Sequence, residues 1–398
     1  MPPKKTKTKS KSTKGPASGT LLPRPPPKSK VKQSSKMKPK TEPKAKPKSK
    51  SSKSTASTGS MKKKKQGKEK EITRYYKLPC DNMKTKEDVV KAFGYTIEKQ
   101  LDKGGFGTIF IASDNRKGVK VAVKWMDLGI ADNDPRMLDT RNELTILEQV
   151  RHPYVIRLHC HFIVQIDGKN NMYIFMELAD GGNLYKYIQK TGVPDEALGK
   201  KYFAQILCGI NHMHGYNIAH RDLQNVLLVA NDRSISGDYL LRVTDFGLST
   251  TVKKEPASGA IVLSKTVCGT PLFMAPELYE KKKYDAFQVD VWALGVALYL
   301  LMTLESPFDF KRPPAELLAA MKGRKYEWPL EKMKEGAVSP GLTDITAAML
   351  TPDPAARKRL IQLINHEWVA AEYAAAHDLS DTLKAEELAG VSSSKSKG

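Results

Sequence analysis

The chain has 398 residues and a net charge of +23, with 66 Lys and Arg against 43 Asp and Glu. The excess is local. Residues 1–70 hold 24 basic and 2 acidic side chains, a net of +22, so the remainder carries only +1 and whole-protein basicity is no argument for nucleic-acid binding. Cys80, Cys160, Cys208 and Cys268 show neither CxxC spacing nor a neighbouring His cluster, which argues against a disulfide framework or a zinc site; they read as free thiols in a reducing compartment, cytoplasmic or nuclear.

In chain order, residues 1–70 are Lys, Ser, Thr and Pro with little else, and cannot bury enough apolar area to offset their conformational entropy, so disorder is expected. Their densest run, Lys62-Lys63-Lys64-Lys65, is either a solvated tail, a nuclear import signal, or an electrostatic arm for acidic partners such as nucleic acid, a microtubule or an anionic membrane. No aromatics interleave the lysines, so any nucleic-acid contact would be salt-sensitive phosphate contact. The N-terminus lacks an apolar leader, so no signal peptide is expected. Residues 71–94 are taken as a linker.

From Tyr95 the pattern changes. Tyr95-Thr96-Ile97, Gly107 to Ile111 and Val119 to Lys124 predict short strands. Asp134-Pro135 predicts an N-cap and first helical residue, opening a helix with Leu138, Leu144, Ile146 and Leu147. Strands follow over Arg157 to Gln165 and Met172 to Glu177, with a turn at Asp167-Gly168-Lys169-Asn170. Beyond Gly181-Gly182 the chain is mainly helical, apart from a hairpin of Val226 to Val229 with Tyr239 to Val243. The longest apolar run, Val291 to Leu304, is shorter than the roughly 20 residues of a membrane helix and is expected to be a buried core helix. Residues 370–385 predict a terminal amphipathic helix, with Ser392 to Gly398 a loose end.

Phosphoryl transfer needs a phosphate cradle, an orienting cation, Mg²⁺ ligands and a carboxylate to receive the hydroxyl proton. A candidate for each occurs in order. Leu101-Asp102-Lys103-Gly104-Gly105-Phe106-Gly107-Thr108-Ile109 joins two predicted strands, and its glycines let backbone N–H groups approach phosphate oxygens, although a Gly-rich hairpin alone is weak evidence. Lys124 ends Val121-Ala122-Val123-Lys124, and Glu143 on the next helix is placed to pair with it; a lone Lys–Glu pair is otherwise a surface salt bridge. Then come His220-Arg221-Asp222-Leu223, Asn225, Asp245-Phe246-Gly247 and Ala275-Pro276-Glu277. That series in that order is specific.

With these residues in place, the segment Tyr95 to Val369 resembles a eukaryotic protein kinase domain of the Ser/Thr type, in style nearest the calmodulin-dependent, checkpoint and testis-specific branch. Asp290-Val291-Trp292-Ala293-Leu294-Gly295, Asp353-Pro354-Ala355-Ala356-Arg357 and His366-Glu367-Trp368 extend the likeness. The resemblance implies an α+β, two-lobed fold, with a five-stranded N-lobe carrying one helix and a mainly helical C-lobe. It implies ATP and Mg²⁺ as cofactors and protein Ser/Thr hydroxyls as substrates. It makes Asp222 the catalytic base, Asp245 and Asn225 the Mg²⁺ ligands, and Lys124, held by Glu143, the contact to the α- and β-phosphates. Ile109, Ala122 and Leu227 would sandwich adenine, Met176 would be the gatekeeper, Glu177 to Ala179 the hinge, and Asn183 a ribose contact. Leu147, His220 and Phe246 would stack as an internal spine tied down by Asp290, and Arg357 would pair with Glu277. Thr266 matches an activating phosphosite for an upstream kinase, with Arg221 receiving the phosphate; the plainer reading is a Thr in a flexible loop.

The chain departs from the family pattern at several positions. The catalytic loop, HRDLKPEN in the family, is here His220-Arg221-Asp222-Leu223-Gln224-Asn225, two residues shorter, with Gln224 where a lysine is expected. That lysine would neutralise the transferring phosphate, and the shortening threatens the reach of Asn225 to Mg²⁺. An impaired kinase, a nucleotide-binding pseudokinase that scaffolds partners, and a sequence-assembly error all account for it. Asp102 replaces the first glycine of the phosphate loop, which predicts weaker nucleotide binding. Asp139 and Thr250 stand where basic residues often support an activating phosphate, and Leu300 stands where an acidic residue selects arginine-rich substrates.

Overall fold

Apolar residues run without a break through Met172-Tyr173-Ile174-Phe175, and a strand built that way must be covered on both faces. In the computed structural model these four residues have no exposed surface. The structure describes residues 85–104, 107–129, 135–231, 238–329 and 338–395, all within one unit, Lys70–Gly398. The basic segment 1–70, Cys80, Gly105, Phe106 and Asp134 lie outside the described residues.

The stretch expected as a linker carries a helix near its end, α1 (Lys86–Ala92). A reciprocal capping box starts it: Thr85 Oγ1 accepts from the Asp88 N–H at 3.1 Å, and the Asp88 carboxylate accepts from the Thr85 N–H at 2.9 Å. The Thr-x-x-Asp signal was present in the sequence. Strands β1 (Tyr95–Gly104), β2 (Gly107–Asp114), β3 (Lys120–Gly129), β4 (Leu158–Ile166) and β5 (Lys169–Glu177) form an antiparallel sheet in the order β1-β2-β3-β5-β4, and α2 (Pro135–Gln149) follows β3. Because side chains alternate along a strand, Tyr173 and Phe175 meet Val89 and Val90 of α1 on one face, while Met172 and Ile174 meet Leu144 of α2 on the other. The β4–β5 turn needs only Asp167 and Gly168, both at positive φ (49° and 71°), a geometry that suits the twist of a two-residue hairpin. Gly107 sits at φ +125°, and a Cβ there would lie 2.2 Å from the carbonyl oxygen of Trp125, so side chains are excluded where β2 crosses β3.

The remaining elements are β6 (Gly182–Asn183), α3 (Leu184–Thr191), α4 (Glu196–Gly215), β7 (Ile218–Ala219), β8 (Val226–Ala230), β9 (Tyr239–Val243), β10 (Thr250–Thr251), α5 (Pro276–Tyr279), α6 (Ala286–Thr303), α7 (Pro314–Lys322), α8 (Pro340–Met349), α9 (Leu360–Ile364) and α10 (Ala370–Lys395). β6, β8 and β9 form a small sheet, and β7 pairs with β10. The architecture is the expected α+β arrangement of a five-stranded lobe and a helical lobe. Helix α6 is the one helix, among the described residues, long and apolar enough to cross a membrane, and 89% of it is buried inside the protein. It is hydrophobic all round because it passes through the centre of the helical lobe. Helix α10 runs ten residues beyond the expected end at 385.

Arg357 and Glu277 lock this lobe. Both are buried. The guanidinium donates to both Glu277 carboxylate oxygens at 2.8 and 3.0 Å and to the carbonyls of Gln288, Thr351 and Pro352, which uses all five of its N–H groups. Glu277→Ala would leave a buried cation without its anion, so chemical denaturation should show a loss of roughly 3–5 kcal/mol. Gly107→Ala should cost about 1–3 kcal/mol through backbone strain and displacement of β3. Gly104→Ala, where a Cβ meets nothing within 4 Å, should stay within about 0.5 kcal/mol of the parent in the same chemical denaturation.

Candidate active site

The site is assembled from Asp290 outwards. This fully buried carboxylate on α6 accepts from the backbone N–H groups of His220 at 2.8 Å and Arg221 at 2.7 Å, and contacts His214 Nε2 at 2.9 Å. It thereby holds Arg221 at φ +65°, a conformation a bulky side chain rarely adopts. Asp245 is the second residue of the site with positive φ, at 71°. The His220 ring packs 5.2 Å from the Phe246 ring, both without exposed surface, and Leu147 lies in the same core.

On the sheet side, Lys124 Nζ donates to Glu143 Oε1 at 2.7 Å, and both residues are buried. Burial pulls the Lys124 pKa down, but the charges of Glu143 and Asp245 outweigh it and hold the ammonium above the ordinary lysine value. Next to Glu143, Asn142 Nδ2 donates to the carbonyl of Ser249 at 2.9 Å, tying α2 to the segment after Asp245-Phe246-Gly247.

Asp222 is buried with both oxygens engaged. Oδ2 accepts from Gln224 Nε2 at 3.0 Å and Oδ1 from the Thr270 N–H at 3.3 Å. Burial pushes its carboxyl pKa up and the Asp245 charge adds to this, against the opposing effects of Thr270 and His220. Asn225 Nδ2 donates to Asp245 Oδ2 at 3.1 Å, so the short loop brings this pair together after all. Among the described residues no group of three or more His, Cys, Asp or Glu is placed to hold a metal ion. One carboxylate beside one amide oxygen nevertheless fits Mg²⁺, which keeps several waters and takes one or two protein ligands together with phosphate oxygens.

The cleft walls come from register. Ala122 pairs with Met176, Ile109 with Lys124, and Asn183 with Leu227. Asn183 Oδ1 caps α3, accepting from the N–H groups of Tyr185 and Lys186, so only its amide NH₂ is left to face a ribose. The hinge expectation concerns the Glu177 backbone; its carboxylate accepts from Arg242 Nε and the Arg157 N–H, both at 2.8 Å. The Ala179 carbonyl accepts from the Gly182 N–H at 3.2 Å. In the Gly-rich hairpin, Lys103 pairs with Thr108, and the Asp102 carboxylate accepts from the Lys103 N–H at 2.7 Å. Leu101 is half exposed.

Thr266 is exposed. Arg221 reaches it indirectly: Nη1 donates to Tyr284 Oη at 3.2 Å, and that hydroxyl donates to the Thr266 carbonyl at 2.6 Å. Arg221 Nε also donates to the Leu248 carbonyl at 2.7 Å. Sequence reasoning missed Asn142, Ser249 and Tyr284. Their contacts join residues 107 and 18 positions apart, and no local pattern announces them.

The protein kinase domain family model matches residues 95–369. The chain is 32% identical over 281 residues to CBL-interacting protein kinase 24 of Oryza sativa subsp. japonica, covering 71% of this chain and 57% of that protein. It is 31% identical over 281 residues to CBL-interacting serine/threonine-protein kinase 1 of Arabidopsis thaliana, covering 70% and 59%. It is 34% identical over 280 residues to the SNF-related serine/threonine-protein kinase of Homo sapiens, covering 69% and 33%. The match thus spans less than two thirds of each of these relatives. On the family match and the assembled motifs together, the chain belongs to the protein kinase family, of the eukaryotic Ser/Thr type.

Proposed function

We infer that this chain is an ATP- and Mg²⁺-dependent kinase that transfers the γ-phosphate to Ser or Thr hydroxyls of proteins. The observation that carries this reading is the Asn225–Asp245 contact at 3.1 Å: a loop two residues short still presents both expected metal-side groups together. Asp245 and Asn225 would hold Mg²⁺, which when bound supplies charge neutralisation between the β- and γ-phosphates. Lys124, fixed by Glu143, orients the α- and β-phosphates. Ile109, Ala122 and Leu227 flank adenine, Met176 and the Glu177 to Ala179 backbone line its edge, and the Gly104–Gly107 hairpin covers the phosphates. Asp222 accepts the substrate hydroxyl proton, with its carboxylate aimed by Gln224 and Thr270. An upstream kinase would act on exposed Thr266, and Arg221 would exchange its Tyr284 contact for the new phosphate. The basic segment 1–70 would tether the enzyme to an acidic partner in the cytoplasm or nucleus.

One observation favours a second reading, a nucleotide-binding scaffold. At the position where the family carries a lysine, Gln224 contributes an amide that is committed to Asp222. The deciding measurement is γ-phosphate transfer from Mg·ATP to a generic Ser/Thr peptide. Transfer by the native chain, reduced roughly 10²–10⁴-fold in Asp222→Asn, is expected. Gln224→Lys should raise kcat by about 10²-fold, since one such donor to transition-state charge is worth about 2.7–4 kcal/mol. Transfer only in a variant carrying Lys-Pro-Glu in place of Gln224 would make the native domain a scaffold. Asp222 must be ionised to accept the proton and its pKa is raised. The acid limb of kcat/KM should therefore lie above the ordinary carboxylate value of about 3.9, with activity lost as pH falls through it.

A further inference from the structure

Helix α10 lies beyond the matched domain, yet it is built into the helical lobe. Ser380 on it has no exposed surface and Ala376 is buried. Beside its contacts to α4, three of its polar contacts fall on one segment, residues 150–157, between α2 and β4. Tyr154 Oη donates to the Ala376 carbonyl at 3.0 Å. His152 Nδ1 accepts from the Tyr154 N–H at 3.2 Å, so the proton of the neutral ring is on Nε2, which donates to Ser380 Oγ at 3.0 Å. Burial, with His212 beside the ring, lowers the His152 pKa to about 2 and keeps it neutral. Arg157 Nη2 donates to Glu387 at 2.5 Å. Tyr373 on the same helix accepts from Asn211 of α4 at 2.9 Å.

The clamped segment borders three parts of the site: α2, the strand before Asp245, and Glu177. Val150 continues directly from α2, which carries Glu143. The Tyr154 carbonyl accepts from Val243 N–H at 3.0 Å, and Ile156 N–H donates to the Val243 carbonyl at 2.9 Å, two residues before Asp245. Arg157 exchanges bonds with Glu177 in both directions: its carbonyl accepts from the Glu177 N–H at 3.0 Å, and its N–H donates to the Glu177 carboxylate. The segment is also pressed against α4, where a Cβ on Gly209 would lie 2.9 Å from the Tyr154 carbonyl oxygen.

We propose that α10 is a positioning element of the phosphotransfer site, acting through Tyr154, His152 and Arg157 to fix the 150–157 segment and thereby Glu143, Asp245 and the hinge. This rests on the kinase reading above. The test uses the full chain carrying Tyr154→Phe with Ser380→Ala, which removes two hydrogen bonds with little change of volume. Amide hydrogen exchange is measured on residues 150–157, 241–245 and α6, beside Mg·ATP affinity and peptide KM. Exchange in the first two segments should quicken about ten-fold while α6 is unchanged. Mg·ATP affinity should weaken by about the same factor, at unaltered peptide KM. Quickened exchange confined to 370–395, with 150–157 and Mg·ATP affinity as in the parent, would overturn the proposal. If the double variant lost its cooperative melt, Glu387→Gln at the exposed pair should still quicken exchange at Arg157 and Glu177, and failure to do so would overturn it equally. A parent chain that binds Mg·ATP but transfers nothing would sink the kinase reading alone, because exchange and affinity still decide the role of α10. If the parent bound no Mg·ATP, exchange would decide it.

Discussion

A single buried carboxylate sets the geometry on which the site depends. Asp290 has no exposed surface, and its charge is tolerable there only because three donors converge on it. Two of those donors are consecutive backbone N–H groups, so the carboxylate dictates the path of the chain at His220 and Arg221. Arg221 is thereby held at positive φ, an arrangement worth roughly 1–3 kcal/mol of strain that surrounding structure must offset. The turn this makes sends the Arg221 side chain towards Tyr284 and Leu248, and leaves Asp222 beneath Thr270. The helix that carries Asp290 is apolar on every side, so the anchor cannot move without disturbing the centre of the lobe.

Next to this anchor, the shortened loop places one neutral amide, Gln224, where a cation was expected. Gln224 donates to Asp222 and Asn225 donates to Asp245, so Asp222 is oriented by an amide in the place of a cation, while Asp245 has both an amide and the charge of Lys124 nearby. Amides fix direction nearly as well as an ammonium but contribute less to stabilising a transferring phosphate. The buried cation Lys124 shares its charge with Glu143 and Asp245. The chemistry proposed for the chain is thus organised for positioning first and for charge stabilisation second.

The segment from Asp245 to Glu277 follows the same logic. Tyr284 occupies Arg221 and holds the Thr266 carbonyl, while its backbone exchanges two bonds with Ser264. The segment is therefore pinned through Tyr284, by one charge-assisted bond from Arg221 and three neutral ones. Arg357 and Glu277 hold its far end from within the lobe.

Much of this was legible in order along the chain. The strands, α2, α6 and the pairing of Lys124 with Glu143 follow from local periodicity, turn residues and motif order, and the pairing of Arg357 with Glu277 from the family resemblance that those motifs carry. The short loop was also visible, but its consequence was not. Whether Asn225 still meets Asp245 depends on how β8 and β9 pair, and that register is set across residues 226–243. Helix α1 was missed although its capping box was on view, since a short polar-flanked helix earns its stability from the sheet face it covers. The sequence by itself determined the family, the lobes and the identity of the chemical groups, all encoded in residue type and spacing. Only the tertiary structure decided the direction of Gln224, the Tyr284 link to Thr266 and the docking of α10 on the 150–157 segment. Each of these joins distant residues through contacts that exist only once the core has packed.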